Sequence, residues 1–333
     1  MRRGAVPNAC RRWTSSPTRT PGSRVSVPAE PEVAQLSARA IGLDDIEGPV
    51  VVACSGGADS LALLVVAVAR GLTPTAAYID HGLRPESRYE AELVAGAAQR
   101  LGAQFSSTRV CIEPGRNLEA RARAARYTAL EATRARVGAS VVLVAHTADD
   151  QAETVVLNLL RGSASAGLGG MAVRRGTVVR PFLRVRRSET EAACTALGLD
   201  PVRDPMNNDL SYRRVWVRRV VLPLLSEGAG RDLVPVLERQ ARLLRAESDY
   251  LDELAGAAWP LPDGSTPAPA LTRLPLVLAR RAVRMWVGPP PPTWNEVERV
   301  LAVARCEVVA TEVGGGRRIS RHGGQLRISG TAQ

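Results

Sequence analysis

The chain of 333 residues contains no lysine, and all 44 of its basic residues are arginine. That absence excludes a lysine Schiff base, a catalytic lysine amine and a Walker-type loop, whose lysine reaches the phosphates. Aromatic residues make up 4% of the chain, too few for base stacking to be the main mode of nucleic-acid binding. No apolar run reaches the roughly 18 residues of a membrane span. The five cysteines, Cys10, Cys54, Cys111, Cys194 and Cys306, stand singly with no CxxC pair. Unpaired thiols in a chain of this length read as reduced and cytoplasmic, without a zinc site.

What is present is arginine in excess. Against 33 acids it leaves a net charge of +11, and every positive contact is a guanidinium, suited to bidentate phosphate recognition. Residues 1–29 hold six arginines and no acid. This leader has no apolar core and so is not a secretory signal. Residues 1–30 read as a disordered basic leader, with a nucleic-acid-binding arm as the alternative.

An apolar content of 45% supports real cores, and the length suggests two domains. From about residue 48, short β-rich runs alternate with amphipathic stretches. Pro49–Cys54, Thr75–Asp80, Gln104–Cys111, Ser140–Ala145 and Val178–Phe182 read as strands. Helical patterns lie between them at 58–70, 86–101, 117–136 and 149–161. The alternation predicts an α/β fold, a doubly wound parallel sheet of five strands. Helical patterns at 186–198 and 212–225 follow, then a long helix from Arg231 to Ala258. Beyond the Pro/Gly-rich break at Pro260–Pro269 come Leu271–Val287, a helix after Thr293, and strand-like runs separated by Gly314–Gly316 and Gly323–Gly324. A smaller, mostly helical C-terminal domain is expected, with the boundary at 226–230.

The first strand runs into Ser55-Gly56-Gly57-Ala58-Asp59-Ser60 and then an apolar helix. Unpaired N–H groups at a helix N-terminus, with glycines that let an anion approach the backbone, suit a phosphate. The motif is neither GK[ST] nor GxGxxG; as a unit, Ser-Gly-Gly-x-Asp-Ser resembles the loop of PP-loop pyrophosphatases, which split ATP between its α- and β-phosphates. That resemblance implies that Ser55, Gly56, Gly57, Ala58, Asp59 and Ser60 bind ATP and that Asp59 helps to hold Mg²⁺, a hard ion that takes carboxylate oxygens.

After the fourth strand comes His146-Thr147-Ala148-Asp149-Asp150-Gln151-Ala152-Glu153-Thr154. Asp150, Glu153 and Thr154 fall at i, i+3 and i+4 and share one face of a first helical turn. Two carboxylates there could grip a cationic amine or take its proton. Helix capping competes, because Thr147 with Asp150 fits a capping box.

Together with the loop, this motif is similar to that of the tRNA(Ile)-lysidine synthetase family, in its short actinobacterial-type form. Further stretches agree in order: Asp80-His81-Gly82-Leu83-Arg84; Glu119-Ala120-x-Ala122-Arg123-x-x-Arg126-Tyr127; and Leu160-Arg161-Gly162-Ser163 through Gly167-Leu168-x-Gly170-Met171. Arg180-Pro181-Phe182-Leu183 and Asp204-Pro205-x-Asn207 follow, then Asp209, Tyr212, Arg214 and Leu222-Pro223-x-Leu225. The likeness covers residues 48–225. Val215 departs from a frequent asparagine and Ala164 from a usual glycine.

The resemblance implies a two-step ligation. The C2 oxygen of the wobble cytidine in a CAU-anticodon tRNA(Ile) attacks the α-phosphate of ATP and releases pyrophosphate. The ε-amine of L-lysine then displaces AMP at C2, and the resulting lysidine changes decoding from AUG to AUA. The resemblance makes 31–227 the catalytic domain and 228–333 a tRNA-binding domain. It makes Asp59, Arg126, Asp150, Glu153 and His146 the catalytic candidates. Asp150, Glu153 and Arg126 would bind lysine. Arg126, with Arg123 second, would meet the α-phosphate, and His146 would shape the phosphate site. Residues 174–219 hold eleven arginines against five acids, a phosphate track beside such a site. Arg161, Arg184, Arg214 and Arg218 are its candidates for tRNA contact. Arg280, Arg281, Arg284, Arg317, Arg318 and Arg321 are candidates in the C-terminal domain. A homodimer is left open.

A PP-loop tRNA thiolase is the nearest competing reading, but such enzymes need cysteines to carry sulfur or a cluster. A non-catalytic nucleotide- or RNA-binding protein of the same fold would be expected to have lost Asp59, Asp150 or Glu153. A small-molecule amidating enzyme would need an ammonia source.

Overall fold

The computed structural model describes residues 30–80, 82, 87–112, 115, 117–202, 209–259 and 265–330. The basic leader before Glu30, His81, Leu83, Arg84 and the Asp204-Pro205-x-Asn207 motif lie outside the described residues. The chain forms two compact units, one ending at Arg242 and the other beginning at Leu243.

The first unit opens with α1 (Pro31–Arg39), β1 (Pro49–Ala53), α2 (Ala58–Ala69), β2 (Thr73–Asp80), α3 (Ser87–Arg100) and β3 (Gln104–Arg109). It continues with α4 (Leu118–Arg136), β4 (Val142–Leu143), α5 (Ala148–Leu160), α6 (Ser165–Leu168), β5 (Arg174–Arg175), β6 (Val178–Val179) and α7 (Arg187–Ala196). The sheet order is β3-β2-β1-β4-β6-β5. The five expected strands all pair in parallel. A two-residue antiparallel strand, β5, is added at the edge, returning to β6 through Gly176 at φ +58°. A ladder that short leaves no periodicity to read.

Alternation along β1 sends Val50, Val52 and Cys54 to one face, where they pack with Leu61, Leu64, Val94 and Ala193. Val51 points to the other face, with Leu130, Val142 and Val144. Thus α2, α3 and α7 cover one side and α4 the other. Leu61, Leu63 and Leu64 are all fully buried, as expected of a helix that is apolar all round. Replacing one of them by alanine is worth about 2–5 kcal/mol.

The chain steps outward from β1 to β2 to β3, then crosses back to place β4 on β1's other edge. Strand order therefore reverses between β1 and β4, and in open α/β sheets ligands lie at the carboxyl ends of such neighbours. The register pairs Val51 with Val142 and Val52 with Leu143. The glycine-rich turn after β1 and the acidic turn after β4 consequently emerge side by side.

A nearly continuous helical run then follows: α8 (Arg213–Trp216), a π-helical turn (Val217–Val221) and α9 (Leu222–Gly228). Pro223 has no N–H to donate into the preceding turn, and the helix widens just before it. The long helix α10 (Val234–Ala258) carries the division between the units. The sequence boundary at 226–230 falls earlier, at the end of α9 and the turn that follows it. Val234 packs with Ala152, Val156 and Val217, so the start of α10 stays with the first unit.

The second unit has β7 (Ser265–Pro267), α11 (Ala268–Thr272), α12 (Leu276–Val287), α13 (Trp294–Ala304), β8 (Ala310–Val313), β9 (Arg317–His322) and β10 (Gln325–Ser329). The expected Leu271–Val287 helix divides at Pro275, which precedes α12. The strand-like runs form an antiparallel sheet ordered β7-β10-β9-β8. Gly323 and Gly324, at φ +55° and +77°, make the two-residue turn in which His322 pairs with Gln325, a geometry that needs positive φ at both positions. Trp259, Leu271, Val300, Leu301, Ile319 and Leu326 form the core.

Several arginines expected to meet RNA have partners within this unit. Arg317 is buried and donates to the carbonyls of Gly314, Val287 and Pro290. Arg321 donates to Ala304 O. Arg281 holds Ser248 and Asp252, and Arg280 pairs with Glu298 while lying 4.2 Å over the Trp294 ring.

Candidate active site

A cleft of about 1780 Å³ opens at the carboxyl ends of β1 and β4. Its lining includes Ser55, Gly57, Ala58, Asp59 and Ser60 from the loop, Arg126 from α4, His146 and Asp150 from the β4–α5 turn, and Arg187, Arg214 and Arg218. All these residues belong to the first unit.

The glycine-rich loop is braced from within. Ser60 Oγ accepts from Ser55 N at 3.2 Å and donates to Gly57 O at 2.8 Å. Gly56 has φ +84°, and a Cβ there would come within 3.0 Å of Val202. Val202 N in turn donates to Gly56 O at 3.0 Å. The loop therefore needs glycine for both its dihedral and its close neighbour.

Asp59 stands in the first turn of α2 and is mostly buried. Its carboxylate accepts from Thr190 Oγ1 and from Arg187 Nε, the latter at 3.3 Å. Burial pushes its pKa up to about 6, with Arg187 and Thr190 pulling the other way. Among the described residues no cluster of three metal-ligating side chains exists. A lone carboxylate beside a phosphate loop nevertheless fits Mg²⁺, which is usually held by one or two carboxylates together with substrate phosphates.

At the start of α5, Thr147 is the N-cap and forms a full capping box with Asp150. Asp150 Oδ2 accepts from Thr147 N at 2.9 Å and from its Oγ1 at 3.1 Å. Capping and charge recognition thus divide one carboxylate, because Oδ1 points the other way, toward Arg187 Nη2 at 3.1 Å and Arg214 Nη2 at 3.4 Å. Two guanidiniums and the backbone N–H of Thr147 hold the Asp150 carboxyl below its ordinary pKa despite burial. Glu153, one turn on, is fully buried. Arg218 Nε meets its Oε1 at 2.6 Å, and Arg214 Nε meets its Oε2 at 2.7 Å. Neither Glu153 oxygen is open to an incoming amine in this conformation.

His146 is pulled down to about pKa 3, chiefly by burial, and its buried Nδ1 has no hydrogen-bond partner. A neutral imidazole of such low basicity shapes a site better than it takes protons. Arg126 lies 5.5 Å from the centre of the Tyr127 ring, and its buried Nε makes no hydrogen bond. A buried guanidinium N–H without a partner, on the wall of this cleft, is a donor available to an anion.

The remaining tRNA candidates divide. Arg161 is the exposed C-cap of α5, and Arg184 is exposed with Glu238 at 4.0 Å. Arg214 and Arg218 lie in the cleft on Glu153. The glycines after α5 have steric causes. A Cβ on Gly167 would meet Ser163 Cβ at 2.5 Å, and one on Gly170 would meet the Gln151 amide at 2.7 Å. Gln151 locks that segment to α5, donating to Met171 O and accepting from Met171 N. Ala164 has φ −78°, which any residue adopts, so a non-glycine fits there. Val215 is buried in α8.

Sequence reasoning missed Arg187 and Thr190, the pair that grips Asp59. Arg187 sat unremarked among its arginine-rich neighbours. The available signal was helical phase: Arg187, Thr190 and Cys194 recur at i, i+3 and i+7, and the last two are buried, so polar residues follow the core face of α7. Its neighbour Arg186 joins Asp149 to Asp232 and fixes the start of α7 against α5.

The PP-loop domain family matches residues 30–225, and the cleft is built on that domain's loop. Curated relatives narrow the class. The tRNA(Ile)-lysidine synthase of Salinispora tropica is 44% identical over 253 residues, which is 72% of this chain and 76% of that protein. That of Thermobifida fusca is 38% identical, covering 84% of this chain and 91% of its own. The chain belongs to the tRNA(Ile)-lysidine synthase family. A solved U34-tRNA thiolase, NcsA of Methanococcus maripaludis, shares the fold at TM-score 0.54 and 16% identity, covering 64% of this chain and 78% of that one.

Proposed function

We propose that this chain ligates lysine to C2 of the wobble cytidine of a CAU-anticodon tRNA(Ile), using ATP and releasing AMP and pyrophosphate. The observation that carries this reading is the meeting of the Ser55–Ser60 loop, Arg126 and the Asp150 carboxylate in one cleft. The loop N–H groups and the α2 N-terminus receive the pyrophosphate portion of ATP. Arg126 donates to the α-phosphate, where charge develops as the cytidine O2 attacks and the bond to pyrophosphate breaks. Asp59 would hold Mg²⁺, which supplies neutralisation of phosphate charge. Asp150 receives and orients the lysine ammonium, whose proton is lost to solvent. The free amine then attacks C2, and the C2–O bond breaks, with the oxygen leaving on AMP. Glu153 acts from behind by holding Arg214 and Arg218. Exposed arginines, among them Arg161 and Arg184, and Arg284 and Arg318 of the C-terminal domain, follow the tRNA backbone in the cytoplasm.

The thiolase alternative is disfavoured by the thiols themselves. Cys54, which lines the cleft, and Cys194 are both pushed up to about pKa 12 by burial, which leaves them inert as sulfur carriers, and the exposed Cys111 and Cys306 are not among the residues lining the cleft. No described helix is long and apolar enough to cross a membrane.

The test uses purified protein, ATP, Mg²⁺, labelled lysine and tRNA(Ile) transcripts. Label is expected on the CAU transcript and not on one with U at the wobble position; equal labelling of both refutes the reading. Asp150→Asn should raise the KM for lysine by at least tenfold, with the KM for ATP much less affected, because a charged hydrogen bond to the amine is weakened. An unchanged lysine KM removes Asp150 from the amine site.

A further inference from the structure

The acidic face of α5 is a candidate seat for an ammonium, yet every acceptor on it is taken. Asp150 Oδ2 is held by the Thr147 cap, and both Glu153 oxygens are held by Arg214 and Arg218 at 2.6–2.7 Å. Only Asp150 Oδ1 is loosely engaged: its nearest partner is Arg187 at 3.1 Å, with Arg214 at 3.4 Å and Arg218 at 3.7 Å beyond it. The Arg187 guanidinium has no contact to these carboxylates shorter than that 3.1 Å: it stands 3.3 Å from Asp59 and 3.9 Å from Glu153. Short charge-assisted bonds are the strong ones, so of the three guanidiniums on this cluster Arg187 is the one held by spread rather than by a close pair.

Charge enforces the same conclusion. Asp59, Asp150 and Glu153 face Arg187, Arg214 and Arg218, three anions against three cations. A lysine ammonium added to this balanced, largely buried set would be an uncompensated charge, which a low-dielectric site resists. Nucleotide phosphates supply the missing anion, and Asp59, which Arg187 already touches, lies within the glycine-rich loop itself. Mg²⁺ at Asp59 would in addition repel the guanidinium from that carboxylate.

We propose that Arg187 is the exchangeable counter-ion that couples the two small substrates: when nucleotide binds, its guanidinium passes from Asp59 and Asp150 to the phosphates, and the lysine ε-ammonium takes its place, the closest one, on Asp150 Oδ1. The proposal rests on the ligase reading and deepens it. Its consequence is that lysine binds after, or together with, ATP. The coupling is reciprocal, so lysine tightens nucleotide by the same factor that nucleotide tightens lysine.

Equilibrium dialysis of labelled lysine against the full chain tests this, with and without Mg²⁺ and α,β-methylene ATP, whose α–β bridge is not cleaved. In the wild type the nucleotide should tighten lysine on the order of tenfold or more, within the usual range of coupling between sites. In Arg187→Met the two lysine affinities should converge, because lysine no longer waits for the guanidinium to leave. Lysine affinity that is the same with and without nucleotide in the wild type overturns the proposal, whether or not the variant folds. So does an Arg187→Met protein that keeps the full nucleotide dependence. Failure of the underlying reading looks different: the wild type would then leave the CAU transcript unlabelled.

Discussion

Glu153→Gln is expected to lower the stability of the first unit by about 3 kcal/mol, toward the lower end of what breaking a buried ion pair costs. The carboxylate is fully buried and receives Arg214 and Arg218 through bonds of 2.7 and 2.6 Å. Glutamine keeps the volume and one acceptor oxygen but leaves two guanidiniums against a neutral amide. Both arginines are partly exposed, at 36% and 25%, so water relieves part of the loss and the upper end of the range is not reached. For a unit of this size the melting temperature should fall by about 6–12 °C, at roughly 2–4 °C per kcal/mol. Activity should fall more than stability explains, because the anchored arginines line the cleft. Differential scanning calorimetry on wild type and variant checks the first part; a shift below 1 °C would mean that Glu153 does not anchor the pair.

The order of elements in the first unit was legible because parallel strands buried on both faces and their crossover helices carry different periodicities. Val50–Cys54 and the all-apolar helix after Ala58 could hardly form anything else. The loop and the acidic helix were legible as motifs, and their meeting followed from chain reversal at β1. What the sequence withheld was partnership. Arg214 and Arg218 read as RNA contacts because nothing in one dimension joins them to Glu153, more than sixty positions away. Arg317 read as a candidate for tRNA contact, yet its fork is spent on three backbone carbonyls. In a chain whose cations are all arginine, composition cannot separate structural from ligand-binding guanidiniums. Geometry does so, through the partners each one already has. By that criterion Arg126, with a buried Nε and no hydrogen bond to it, is equipped for an incoming anion, and Arg187 for exchange.

Asp59→Asn should abolish ligation while making the ligand-free protein more stable at neutral pH. Burial raises the Asp59 pKa from 3.8 to about 6 even with Arg187 and Thr190 opposing. The folded chain therefore holds a proton at this site between about pH 4 and pH 6 that the unfolded chain has released. Whatever stability the neutral carboxyl contributes is present at low pH and lost as pH rises through about 6. At pH 7 the ionised group costs the fold about 2 kcal/mol, taking about 1.4 kcal/mol per unit and discounting for its partial exposure. Asparagine removes that charge, keeps an acceptor for Thr190, and leaves Arg187 its contacts with Asp150 and Glu153. Denaturant unfolding without Mg²⁺ should show the variant more stable at pH 7, with the two proteins converging below about pH 4. A variant that is less stable at pH 7, or that still labels tRNA at the wild-type rate, contradicts the assignment. Opposite signs for stability and activity are what a carboxylate kept for its ligand should give. A purely structural Asp59 would lose both together, since its bonds to Thr190 and Arg187 would then be the reason for its presence.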